Sequence, residues 1–171
     1  MAETETVDVD LETIVRDAKG QSNPELRLWL RLLSTTKLIS QEVRRRLRRE
    51  FEATLPQFDL MAQLYRQKDG LRLGELSKRT MVTNGSVTGL VERLEADGYV
   101  ELVTPDDDRR VTLAKLTDDG TALFTRMAAA HEGWLQDMFA DVDSTAISSL
   151  WSDIGAVKAS VGNYVSGQPL D

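Results

Sequence analysis

The sequence predicts a mainly α fold with a small β-hairpin, a winged helix-turn-helix joined to a helical dimerisation region. Three observations predict it. Apolar residues recur at steps of three and four through long segments near both ends. Between them, shorter helical segments are punctuated by Asp69-Gly70 and Asp97-Gly98. Two short runs of strand-forming residues then flank a polar loop.

Residues 1–22 read as an acidic arm, polar apart from Val9, Leu11, Ile14 and Val15. Asn23-Pro24 opens a long helix over about 23–55, because proline suits a first helical turn. Its stripe is Leu26, Trp29, Leu30, Leu33, Ile39, Val43, Leu47 and Phe51. A second helix from about Pro56 to Gln67 carries Phe58, Met61, Leu64 and Tyr65. Leu71–Leu73 is a short extended piece, Gly74–Arg79 a small helix, and Met81–Thr83 a turn. Thr83 or Asn84 then caps a helix to Ala96, with Val87, Leu90, Val91 and Leu94 inward. Tyr99–Val103 and Val111–Leu116 form the hairpin around the loop 104–110. Thr117 caps the next helix, with Asp118 and Asp119 favourable in its first turn. Ser144 is expected to cap the last, whose stripe is Ile147, Leu150, Trp151, Ile154, Val157, Val161 and Tyr164. Residues 56–116 thus form the lobe, and 117–171 join the long first helix in dimerisation.

The chain has 171 residues and is long enough for a real core. It has no cysteine, which removes disulfides, thiolate nucleophiles and cysteine metal sites. A single histidine, His131, leaves no paired-histidine zinc site, and reads as a packing or surface residue. No spaced carboxylate pair accompanies a nucleophile or a glycine-rich phosphate loop, so no enzyme, cofactor or metal is expected. No apolar run approaches the roughly 20 residues of a membrane helix. The acidic start is unlike a signal peptide, so a cytoplasmic protein without a membrane partner is expected.

The net charge is -7, but residues 26–50 carry eight bases against two acids. An acidic chain can still turn a basic face to phosphate. In the lobe, the second helix exposes Asn84, Gly85, Ser86, Thr88, Gly89, Glu92 and Arg93 once its inward positions are removed. Small polar residues at a helix N-terminus allow close approach to base edges and phosphate. Asn84, Ser86 and Thr88 are therefore candidate base contacts. Lys78, Arg79 and Arg93 are candidate phosphate contacts. Arg109 and Arg110 at the hairpin tip would meet phosphate or the minor groove, with Asp108 holding an arginine. The partner these residues imply is a double-stranded DNA operator. A winged-helix protein-interaction module without sequence-specific DNA binding is the alternative, suggested by the net acidity.

The ordered set Leu73-Gly74-Glu75-Leu76-Ser77, Val87–Val100, Asp108-Arg109-Arg110 and Leu116-Thr117-Asp118-Asp119-Gly120 resembles the MarR (multiple antibiotic resistance regulator) family of bacterial transcription factors. The flanking helices extend the resemblance over about residues 24–165. It implies a homodimer on a pseudo-palindromic operator, usually a repressor released by a small ligand. Many members carry a large basic residue where this chain has Gly89. The Asn84–Gly89 stretch resembles members tied to aromatic-acid catabolism, some of which answer to CoA thioesters. A small effector, an aromatic acid or its acyl-CoA, is expected accordingly. Trp29, Met61 and Tyr65 are candidates to line its apolar pocket, and Arg45, Arg46 and Arg49 to hold its anion. The Arg44–Arg49 run could equally face DNA phosphate or solvent alone.

Overall fold

The computed structural model describes residues 23–80, 84–104 and 111–167. The acidic arm, the turn 81–83 and the hairpin tip with Asp108, Arg109 and Arg110 lie outside the described residues, as does the Asn84 side chain.

Helix α1 spans Pro24–Phe51. The Asn23 side chain accepts the Glu25 N–H at 2.8 Å and caps its start. The helix ends where Glu52 turns left-handed at φ 55, its N–H bonded back to Arg48 O. Val43 and Leu47 are buried, whereas Leu26, Leu28, Trp29, Leu33 and Leu38 are exposed. One helix therefore serves two surfaces: its C-terminal half enters the core, and its N-terminal half leaves apolar side chains open.

Helix α2, Leu55–Tyr65, starts with a capping box in which Thr54 and Gln57 satisfy each other's backbone N–H groups. It buries Phe58, Leu60, Met61 and Leu64. Strand β1 (Leu71–Arg72) is followed directly by α3 (Leu73–Thr80). Leu73 is thus helical rather than extended, and Glu75 accepts the Arg72 N–H at 3.3 Å beside it. Helix α4 spans Asn84–Ala96 with Val87, Val91 and Leu94 buried and Leu90 half-buried. It stops at Gly98, φ 78, where the Tyr99 N–H reaches Leu94 O at 2.8 Å.

Strands β2 (Val100–Val103) and β3 (Leu113–Leu116) pair antiparallel as the expected hairpin. β1 adds to the other edge of β3, giving a three-stranded sheet in the order β1-β3-β2. Two residues are too few to show strand alternation, so this pairing is a product of the tertiary fold.

Helix α5 spans Asp118–Met138 and α6 spans Ser144–Ser166. The last helix is capped by Asp143 rather than Ser144: the Asp143 carboxylate accepts the Ala146 N–H at 2.9 Å. The chain divides into two compact units, residues 1–131 and 132–171. The first holds the sheet and the core built from α1 to α5. In the second, Trp134 is buried, while Ile147, Leu150, Trp151, Ile154, Val157, Val161, Tyr164 and Val165 of α6 are exposed.

Candidate nucleic-acid interface

The geometry of α4 follows from its sequence. Val87, Val91 and Leu94 recur at steps of four and three, so one side of the helix is locked into the core. The opposite side carries Gly85, Ser86, Gly89, Glu92 and Arg93, all exposed, with Thr88 half-buried at the flank. α3 packs against α4, and Lys78 and Arg79 are exposed near the C-terminal end of α3. Both bases sit in the last turn of α3, where positive charge also suits the helix dipole. Arg93 lies in the last turn of α4, away from the N-terminal face of Ser86 and Gly85.

Gly85 and Gly89 are one turn apart on the open face, and a Cβ at either would meet no atom within 4 Å. Nothing inside the fold asks for glycine there. Each costs the helix about 1 kcal/mol relative to alanine. They leave bare backbone between Ser86 and Thr88 on one side and solvent on the other.

The apolar candidates for the effector differ in how open they are to solvent. Met61 is 1% exposed, deep in the core. Tyr65, one turn on, is 45% exposed, with its ring 4.9 Å from that of Phe124. Trp29 is 57% exposed. It lies about 21 Å along α1 from Val43, where the helix enters the core, at 1.5 Å per residue. A shallow cleft of about 220 Å³ is lined by Pro24, Arg27, Leu28 and Arg31. Drug-sized ligands occupy roughly 300–1,000 Å³.

Arg45, Arg46 and Arg49 of α1 are already engaged by acids. Glu42 accepts from Arg45 Nε at 2.7 Å and Nη2 at 2.6 Å, and from Arg46 Nε at 2.6 Å. Hydrogen bonds from Arg45 and Arg46 hold the Glu42 carboxyl down at about 2. Arg49 pairs with Glu50. Arg44 and Arg48, one turn apart, are exposed.

Sequence reasoning did not find the ring ladder between α2 and α5. Phe58 and Tyr65 are seven residues apart on α2, and Phe124 and His131 are seven apart on α5. Their rings alternate: His131 to Phe58 at 5.1 Å, Phe58 to Phe124 at 5.5 Å, Phe124 to Tyr65 at 4.9 Å. The matched heptad spacing was present in the sequence, but the pairing of helices about sixty residues apart was not. Among the described residues, no group of histidine and carboxylate side chains is placed to hold a metal ion. Among them also, no helix is long and apolar enough to cross a membrane.

Comparison with known proteins adds a lineage to this geometry. The family model described as the MarR family matches residues 53–111, from the end of α1 to the start of the run leading into β3. The crystal structure of a MarR family transcriptional regulator from Silicibacter pomeroyi is 35% identical, with a TM-score of 0.69 over 80% of this chain and 94% of that one. The transcriptional activatory protein BadR of Rhodopseudomonas palustris is 30% identical over 119 residues, 67% of each chain. A MarR family regulator from Streptomyces coelicolor, solved in complex with DNA, shares the fold at 24% identity and a TM-score of 0.69, covering 84% of this chain and 91% of that one.

Proposed function

The chain belongs to the MarR family of transcriptional regulators, and on that premise we propose that it is a cytoplasmic homodimer that binds a pseudo-palindromic DNA operator. The observation that carries this reading is the face of α4. One side is fixed by Val87, Val91 and Leu94, and the other offers Ser86, Thr88 and bare backbone at Gly85 and Gly89. A helix so built can lie deep in the major groove, with Lys78 and Arg79 on phosphate. Asn84 would join the base contacts. Arg93, Arg109 and Arg110 would join the phosphate and minor-groove contacts, with Asp108 holding an arginine of the wing. The winged lobe is residues 56–116, and residues 23–55 and 117–171 pair the two copies. The exposed apolar faces of α1 and α6 support that pairing.

The dimer acts chiefly as a repressor, released by a small aromatic acid or its CoA thioester. The relative from Rhodopseudomonas palustris is named as an activator. The sign of regulation depends on where the operator lies relative to the promoter, not on the DNA-reading face. For the effector, Tyr65 is half-exposed, and Trp29 and Met61 are the other apolar candidates. Its anion would compete with Glu42 for Arg45 and Arg46, and with Glu50 for Arg49.

A gel shift with DNA from upstream of its own gene, at two salt concentrations, tests the reading. Saturable binding that weakens with salt supports it. Absence of binding at low salt moves the assignment to a protein-interaction module, which the net charge of -7 would suit. A thermal-shift screen of aromatic acids and their CoA thioesters tests the effector, since a ligand of the native state raises the melting temperature.

A further inference from the structure

The amino-terminal half of α1 turns apolar side chains to solvent on two opposite sides. At 3.6 residues per turn, Leu26, Trp29 and Leu33 fall on one side, all exposed. Leu28 and Leu38, 46% and 60% exposed, fall on the other, together with exposed Arg27 and Arg31. The cleft of about 220 Å³ lined by Pro24, Arg27, Leu28 and Arg31 lies on this second side. A second copy seated on Trp29 and Leu33 sits across the helix from Leu28 and Leu38. We propose that the Leu28–Leu38 side of α1 is the docking surface for the chain's own acidic arm, and that residues 7–12 occupy it.

The two sequences match in charge and in apolar content. Residues 1–22 carry six acids against two bases. Residues 24–38 carry Arg27, Arg31 and Lys37 against Glu25. Within the arm, Val7, Val9 and Leu11 alternate with Asp8, Asp10 and Glu12. The surface on α1 sets Leu28 and Leu38 beside Arg27 and Arg31 in the same mixture. Guanidinium groups take carboxylates by paired hydrogen bonds, and the leucines leave water only against other apolar groups. Surface ion pairs alone hold little, so the alternating valines and leucine matter as much as the acids.

The arm is also joined to the surface that it would cover. It ends at Asn23, beside Pro24 in the wall of the cleft. Leu38 lies about 22 Å along α1 from Asn23 at 1.5 Å per residue. Residues 13–22 span up to about 33 Å when extended, so residues 7–12 can reach any point between Leu28 and Leu38. The tether makes the contact intramolecular, at an effective concentration on the order of millimolar, so modest complementarity suffices. A docked arm lays acids along the side of α1 that continues to Arg45 and Arg49, and keeps other anions and apolar partners from it.

The chain has no cysteine, so one introduced thiol carries one nitroxide label. Thr35 is exposed on the docking side between Leu28 and Leu38, and Thr35→Cys places the label there in the full chain. The NMR amide signals of residues 7–12 should be lost while the nitroxide is oxidised and return when it is reduced. Arg27→Glu combined with Arg31→Glu should bring them back several-fold with the nitroxide still oxidised. Adding Asp8→Lys and Asp10→Lys to that protein should remove them again. Signals that stay sharp beside the label overturn the proposal, and so does a loss that the charge reversal leaves unchanged. If the charge-reversed helix does not fold, Val9→Ser combined with Leu11→Ser decides, because it leaves α1 untouched: the signals should return, and an unchanged loss overturns the proposal. A final sample refolds isotope-labelled chains without nitroxide together with unlabelled chains that carry it. Sharp signals there support docking on the arm's own chain, and their loss assigns the surface to the arm of a second copy and overturns it.

Discussion

Gly120 in the first turn of α5 lies so close to Tyr99 that a Cβ added to it would stand 1.9 Å from the Tyr99 carbonyl oxygen. Thr117 locks the same corner with three hydrogen bonds. Its hydroxyl donates to Gly98 O at 2.8 Å and accepts the Gly120 N–H at 3.0 Å, and its N–H donates to Tyr99 O at 3.1 Å. The stop of α4, the start of β2 and the cap of α5 are therefore one structure. The Leu-Thr-x-x-Gly run at 116–120 is the sequence of that junction, and its glycine is needed for space.

Gly120→Ala is accordingly expected to destabilise the fold by about 3 kcal/mol or more, the upper range for inserting a methyl group into packed backbone. Urea unfolding should show a lower midpoint with an unchanged slope. Wild-type stability in this variant would mean that α5 can shift away from Tyr99.

Gly85→Ala and Gly89→Ala should do the opposite. Each has room for a methyl group and a helical backbone, so each should stabilise the protein by roughly 0.5–1 kcal/mol. If DNA approaches the bare backbone, the same substitutions should weaken operator binding. Urea melts and anisotropy titrations on the same samples check both signs. A variant that gains stability and keeps full affinity would show that DNA does not come that close.

The solvent-facing stripe of α6 should be covered by a second copy. Trp151 is 84% exposed in the single chain, and Ile154 and Val157 continue its face. Sedimentation of the wild type should give about twice 19.1 kDa. Trp151→Glu combined with Ile154→Glu should give the monomer mass, because a charge buried at a two-fold interface meets its own copy. A wild type that sediments as a monomer removes the palindromic operator from the reading as well.

How far the sequence shows this protein depends on the range of each interaction. Stops and caps are local, so Asp97-Gly98 and Thr117 mark their helix ends in the sequence itself. The inward set Val87, Val91 and Leu94 follows from helical period alone. The Glu42 fork is equally legible, since Arg45 and Arg46 stand three and four residues on, within reach on one helix face. The ring ladder and the pairing of β1 with β3 join segments far apart in the chain, and no local pattern announces them. Trp29 and Met61 likewise both fall on apolar stripes, but Trp29 on α1 is 57% exposed whereas Met61 on α2 is 1% exposed, a difference that the stripes do not show.

The reading helix and the hairpin tip should fail differently when mutated. Ser86 is exposed and Thr88 half-buried on a helix whose other side is fixed, so Ala at either position should leave the protein folded. A side chain on a base edge discriminates between sequences by about 1–3 kcal/mol per good contact. Ser86→Ala and Thr88→Ala should therefore weaken operator binding more than binding to scrambled DNA. Arg110→Ala should weaken both alike, because phosphate and the minor groove are largely indifferent to sequence. It should also flatten the plot of log affinity against log salt by roughly one unit for each phosphate that Arg110 neutralises in a half-site. Asp106, Asp107 and Asp108 make this a demanding test, since their charge opposes DNA unless Asp108 is occupied in holding an arginine. Asp108→Ala should then cost affinity, although it removes a negative charge from beside the DNA. Titrations of all four variants on operator and scrambled DNA at several salt concentrations decide the matter. An Arg110→Ala protein with wild-type affinity and slope would mean that the wing does not touch DNA.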